Sequence, residues 1–139
     1  MKFYAFIFAR KGSVRLKNKN TKMLNGVPLI SHSIGLAKKI RKITKIFVST
    51  NKEKVKKIAL KEGCIVIDRP NNLCLSKSPE WKSWQHAIKY AIKKFDDKFN
   101  FISIPTTSPL RNKSDILKCI GGLKKNNDIV ITISKTNLD

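Results

Sequence analysis

Apolar and mixed segments alternate along the chain with a regularity that sets the class of fold before any single residue is weighed. Phe3–Ala9 is almost wholly apolar, as expected of a strand buried on both faces rather than one. Shorter strand-like runs follow at residues 46–49, 64–68, 101–104 and 129–133. Between them, apolar residues recur at helical spacing. Ile30, Ile34 and Ala37 share one helix face; Val55, Ile58 and Ala59 a second; Trp81, Trp84, Ile88, Ala91 and Phe95 a third; Ile116, Ile120 and Leu123 a fourth. Ser78 before Pro79-Glu80 and Ser114 before Asp115 read as helix caps. Strands alternating with helices predict an α/β fold in three layers, a mainly parallel sheet covered on both faces. The whole chain, residues 1–139, is read as a single domain.

In such a fold the loops after the strands gather along one edge, where ligands bind. Those loops are residues 10–20, 50–53, 69–77 and 105–111. The first is the most informative. It is polar and cation-rich, with Arg10, Lys11 and Lys19, a hydroxyl at Ser13 and one glycine, Gly12, where the backbone can bend. A loop of this kind between a buried strand and a helix suits a phosphate group. It matches neither the dinucleotide fingerprint nor the P-loop, since it has one glycine and no following Gly-Lys-Ser/Thr, so it points to a nucleotide site of another design.

Composition narrows the class further. No apolar run reaches the length of a membrane span, and no cleavable leader is expected at Met1-Lys2-Phe3. Three widely spaced cysteines, Cys64, Cys74 and Cys119, argue against a disulfide framework or a zinc site and for a reducing, cytoplasmic setting. Against 30 Lys and Arg stand 9 Asp and Glu, a formal charge of +21. That excess would suit a nucleic-acid binder, yet it is mostly lysine and is dispersed over the polar faces of the expected helices, as at Lys38, Lys56, Lys57, Lys93 and Lys94. The dispersed reading is a solvated lysine coat. His32 and His86 lie within helical segments beside apolar residues and read as structural. The Asp96-Asp97 pair falls in a helix-to-strand connection away from the ligand loops and reads as solvated.

Taken in order, the segments Ala9-Arg10-Lys11-Gly12-Ser13, Lys19-Asn20, Pro28-Leu29-Ile30-Ser31-His32-Ser33-Ile34, Val48-Ser49-Thr50, Arg69-Pro70 and Thr107-Ser108-Pro109-Leu110-Arg111 resemble the amino-terminal part of the acylneuraminate cytidylyltransferases, the CMP-sialic acid synthetase family. The resemblance implies a Rossmann-like nucleotidyltransferase fold. It implies transfer of CMP from CTP to a hydroxyl of an acidic nine-carbon sugar, with release of pyrophosphate, use of Mg²⁺ and a homodimer in full-length members. It further implies that Arg10 and Ser13 hold the triphosphate, that Lys19 lies near the reacting phosphates, that Asn20 meets the ribose and that Arg69 meets the cytosine side. Ala9, Lys11, Gly12, Thr107 and Ser108 complete the substrate-binding set. Fixed cations are the natural catalysts for such a transfer, because negative charge collects on nonbridging and leaving oxygens. The chain departs from the family at Pro105-Thr106, where many members carry Gln-Pro, at Ser76-Lys77 and at Asn51. The family's Mg²⁺-binding aspartates fall in a later part of the sequence, and Asp128 and Asp139 do not match them, so no metal ligand is assigned and a fragment or short relative is expected. Asp68 is expected to pair with a neighbouring cation.

Three other readings share parts of this pattern: a nucleotidyltransferase for another sugar acid such as Kdo, an inactive nucleotide-binding remnant, and a basic nucleic-acid-binding module supported by charge alone. The last is separable by experiment. A lysine coat binds duplex DNA and RNA weakly, without sequence preference, and releases them at moderate salt in a filter-binding titration. Submicromolar binding that survives physiological ionic strength would contradict the coat.

Overall fold

The computed structural model describes residues 1–10, 15–123 and 126–133. Met1–Pro109 forms one unit and Leu110–Asp139 a second. The first is built on four parallel strands, β1 (Phe3–Ala9), β4 (Ile43–Thr50), β5 (Ile65–Asp68) and β6 (Asn100–Ser103), in the order β5-β4-β1-β6. A two-stranded hairpin, β2 (Met23–Leu24) and β3 (Val27–Pro28), lies between β1 and α1 (Leu29–Lys38). Its turn residues Asn25 and Gly26 have φ of 50° and 77°, the left-handed backbone that an Asn-Gly dipeptide favours. That dipeptide was a legible hairpin signal, and the reading by apolar runs passes over it.

Helix α1 packs on β1 and β4, and α2 (Glu53–Lys61) on β4, β5 and α1. Helix α3 (Glu80–Phe95) sets Ala87 and Ala91 against Tyr4, Phe6, Phe47 and Ile67. Side chains alternate along a strand, so these even-numbered residues of β1 face α3 while Phe3, Ala5, Ile7 and Ala9 face the other side. All of them are buried, and the apolar run of β1 reflects cover on both faces. The core beneath α3 is aromatic: Phe6 stacks on Phe47 and Phe101 with ring centroids 4.7 and 4.9 Å apart, and Tyr4 on Phe99 at 4.3 Å. The three-layer α/β architecture expected from the sequence is the one observed.

Four local expectations are corrected. Residues 129–133 form no strand; Ile129, Ile131 and Ile133 are 81%, 73% and 87% exposed, and their own unit holds, among the described residues, α4 (Lys113–Gly122) and no second strand to pair with. The inward face of α3 is Ser83, Ala87 and Ala91 rather than the Trp81–Trp84 line: Trp81 is exposed and Trp84 packs at the margin, on Phe101. Large rings do not fit where a helix lies close on a sheet already filled with phenylalanines, and small residues do. Neither serine caps its helix. Ser78 Oγ donates to the Asn72 carbonyl, and α4 is capped by Asn112, which accepts from the Asp115 N–H while the Asp115 carboxylate accepts from the Asn112 N–H. Finally, Asp97 is not simply solvated: it accepts from the Tyr4 hydroxyl at 2.5 Å and from Lys2 Nζ at 2.9 Å, at the end of the sheet away from the ligand loops.

This last contact makes stability depend on pH. Burial first, and then the hydrogen bond and charge of Asp97, pushes the Tyr4 phenol up from 10.0 to about 12. The folded chain keeps this proton where the unfolded chain has lost it. The stabilisation is therefore complete below about pH 10 and is lost as the pH rises to about 12. Denaturant titrations of the wild type and Tyr4→Phe should show a stability gap that closes across this interval. A gap that stays constant would mean that the phenol does not titrate with folding.

Candidate functional site

The strand order places β1 between a chain that leaves toward β4 and β5 and a chain that returns at β6, so the loops after β1 and β6 diverge. A crevice at such a reversal, outside the carboxyl ends of the strands, is the ligand position of open α/β sheets. Register brings the ends level: Ala9 lies beside Thr50, and Thr50 beside Asp68, so Arg10 and Arg69 leave the sheet at one height. The Arg69 N–H donates to the Thr50 carbonyl at 3.0 Å, and the Ile104 N–H to the Phe6 carbonyl at 3.0 Å.

A cleft of about 430 Å³ opens there, and Arg10, Lys19, Asn20, Arg69 and Thr107 all line it. Five side chains singled out from three separate loops thus share one space. Ala9 is buried as the last residue of β1, Ser108 is exposed and is not part of the lining, and Lys11, Gly12 and Ser13 lie outside the described residues. The two arginines are tied to one loop. Arg10 Nη1 donates to the Cys74 carbonyl at 3.2 Å, and Arg69 donates from Nε and Nη2 to the Leu73 carbonyl at 3.0 and 2.7 Å. Arg69 is 8% exposed; burial is the main force holding its pKa below the usual arginine value, and the like charge of Arg10 adds to it. The carbonyls shape the turn after Pro70 while leaving guanidinium donors available to the cleft.

Asn20 and Thr106 join the loops across the crevice. Thr106 Oγ1 donates to Asn20 Oδ1 at 2.7 Å, both side chains being buried, and Ser33 Oγ of α1 donates to the Pro105 carbonyl at 3.3 Å. Lys19 opens the short 3-10 turn Lys19–Thr21, which Asn18 enters with a φ of 56°. Sequence reasoning did not assign Phe8, Leu75, Ser76, Ser78, Glu80, Ser103, Pro105 or Thr106 to the site, although all line the cleft. Ser78 and Glu80 were legible as a helix start after a strand-end loop. The Thr106–Asn20 bond joins residues 86 positions apart and had no local signal.

Other candidates resolve as structural. The Asp68 carboxylate meets Lys56 Nζ at 2.5 Å, the cation pair expected of it, and His32 Nε2 lies 2.7 Å from the Leu24 carbonyl. The three thiols are free, and burial pushes Cys64 up to about 11. Among the described residues no three His, Cys, Asp or Glu come together as a metal-holding group, and Glu80 is the one acidic side chain on the cleft. These residues do not make a Mg²⁺ site. No described helix is long and apolar enough to cross a membrane.

Thr106→Val should cost about 1–3 kcal/mol of stability, because it leaves the buried Asn20 amide oxygen without its donor. Urea denaturation measures it; a change below about 0.5 kcal/mol would mean that water reaches Asn20.

Comparison with known proteins fits this geometry. The sequence is 32% identical to N-acylneuraminate cytidylyltransferase of Escherichia coli O18:K1:H7 over 119 residues, which are 86% of this chain and 27% of that protein. It is 32% identical to 3-deoxy-manno-octulosonate cytidylyltransferase 2 of Hydrogenovibrio crunogenus over 126 residues, 89% of this chain and 48% of that one. The chain therefore spans about a quarter to about half the length of these relatives. A cytidylyltransferase structure from Leptospira borgpetersenii superposes with a TM-score of 0.70 at 21% identity, covering 91% of this chain and 50% of the other, and shows the shared fold. The family model described as Cytidylyltransferase matches residues 4–139, and the chain belongs to that family.

Proposed function

We propose that this chain forms the nucleotide-binding part of a cytidylyltransferase that moves CMP from CTP to a sugar acid and releases pyrophosphate. The carrying observation is the convergence of Arg10, Lys19 and Arg69 on one cleft at the strand-order reversal. Three cations from two loops in a space of about 430 Å³ repel one another until an anion enters, and a triphosphate answers that field. Arg10, half-buried at the end of β1, can grip phosphate oxygens with guanidinium donors that Cys74 does not occupy. Lys19 supplies a movable point charge where pyrophosphate leaves. Thr106 holds Asn20 in place to meet the ribose, and Arg69 closes the nucleoside end with the loop it fixes.

Within this reading the acceptor is a sialic-acid-like nonulosonic acid, supported by the order of motifs from Ala9-Arg10 to Leu110-Arg111 and by the name of the Escherichia coli relative. The Hydrogenovibrio relative's name keeps the eight-carbon Kdo as the second acceptor to assay. Magnesium, a cytoplasmic site of action, a homodimer and the roles of Lys11, Gly12, Ser13, Thr107 and Ser108 belong to the same proposal.

Calorimetric titration should show CTP bound more tightly than ATP or GTP. Arg10→Ala should weaken CTP by about 1–3 kcal/mol, the worth of a charged hydrogen-bonding group. Pyrophosphate release is then followed with CTP, Mg²⁺ and N-acetylneuraminate or Kdo, on this chain and on any longer product of the same reading frame. In a form that turns over, Lys19→Ala should lower the rate more than the affinity. Tighter purine binding, or Arg10→Ala without effect, would sink the reading.

A further inference from the structure

The cleft contains one group that a polyanion site does not explain. Glu80, on the first turn of α3, is among the described residues the one carboxylate on a lining whose other polar side chains are three cations, the Asn20 amide and the hydroxyls of Ser and Thr. A carboxylate beside a triphosphate repels it; the charge of Arg69 offsets Glu80 in the empty cleft, and toward a ligand the carboxylate is suited to a group that donates.

Helix-dipole stabilisation accounts for an acid in a first turn, but not for its placement on the cleft. The other first-turn acids differ. Glu53 of α2 lies 3.8 Å from Lys56 Nζ, and Asp115 of α4 closes a capping box with Asn112. Neither lines the cleft. Glu80 makes no hydrogen bond or ion pair among the described residues, and Arg69, the cation that feels its charge, spends its Nε and Nη2 donors on the Leu73 carbonyl. Glu80 is therefore an exposed acceptor on a cationic cleft, close enough for Arg69 to feel its charge but with no hydrogen bond of its own among the described residues.

Resting on the reading of this cleft as a CTP site, we infer that Glu80 selects the base by accepting a hydrogen bond from the exocyclic 4-amino group of cytosine. The remaining polar side chains of the lining donate only, as Arg and Lys do, donate or accept through one hydroxyl, as Ser and Thr do, or, as Asn20 does, accept through an amide oxygen that Thr106 already bonds; an ionised carboxylate only accepts. Cytosine offers a donor at position 4, where uracil offers an acceptor. One carboxylate therefore attracts the first base and repels the second, while adding nothing to phosphate binding. A good contact of this type discriminates by about 1–3 kcal/mol, or about five- to 150-fold in affinity.

The test uses the chain as it stands, with CTP, UTP, the triphosphate of the pyrimidin-2-one riboside, which lacks the 4-amino group, and inorganic triphosphate, each titrated calorimetrically. The wild type should bind CTP at least about tenfold more tightly than either UTP or the des-amino analogue. Glu80→Ala should bring the three nucleotides within about threefold of one another, with inorganic triphosphate bound as well as before or better. Glu80→Gln should improve UTP over wild type, since its amide N–H can donate to O4. CTP selectivity that persists in both variants would overturn the assignment and leave the CTP reading standing. Failure of the wild type to bind CTP while it binds inorganic triphosphate would remove both.

Discussion

The structure turns on β1. It is hydrogen-bonded on both edges, to β4 and β6, and covered on both faces. Right-handed crossovers permit a chain that starts on a central strand to extend the sheet one way and then return to its other side. That return at β6 opens the crevice. Because the flanking strands are held in register by ladder bonds, the position of Arg10 against Arg69 follows from the sheet rather than from the flexible arms of the two side chains.

Gathering cations in one place is unfavourable without an anion, and the fold tempers this with backbone oxygen. The Leu73 and Cys74 carbonyls accept from Arg69 and Arg10 respectively, so both guanidinium groups are partly satisfied before a ligand arrives. The same bonds fix the loop whose Leu75, Ser76 and Ser78 form one wall of the cleft. Arg69 is thereby a structural and an electrostatic residue together. Burial weakens its hold on its proton, yet an arginine at any working pH stays charged. The Asn20–Thr106 bond, between two further lining residues, joins the loops that follow β1 and β6, the two that the topology drives apart.

The surface charge is a different matter from the charge of the cleft. Lysines such as Lys54 and Lys57 are exposed on α2, as Lys93 and Lys94 are on α3, whereas the cations that line the crevice among the described residues are Arg10, Lys19 and Arg69. Composition alone could not separate these populations, since net charge carries no address. Motif order supplies an address, by marking positions at strand ends.

Sequence by itself determined the layered α/β class, the central place of Phe3–Ala9 and the membership of Arg10, Lys19, Asn20, Arg69 and Thr107 in strand-end loops. Each of these rests on local periodicity or on short motifs, which the chain carries within a few residues. Tertiary structure decided what periodicity cannot reach. The face of α3 that turns inward was set by a sheet already filled with rings, which admitted Ser83, Ala87 and Ala91 and turned Trp81 out. Residues 129–133 have the composition of a strand, but a strand exists only with a partner, and their unit supplies none among the described residues. The bonds from Thr106 to Asn20, from Tyr4 to Asp97 and from Arg10 to the Cys74 carbonyl join positions 86, 93 and 64 residues apart. The placing of Glu80 on the cleft wall is of the same kind. Such pairings depend on where the sheet sets its loops in space, and spacing along the chain does not encode them.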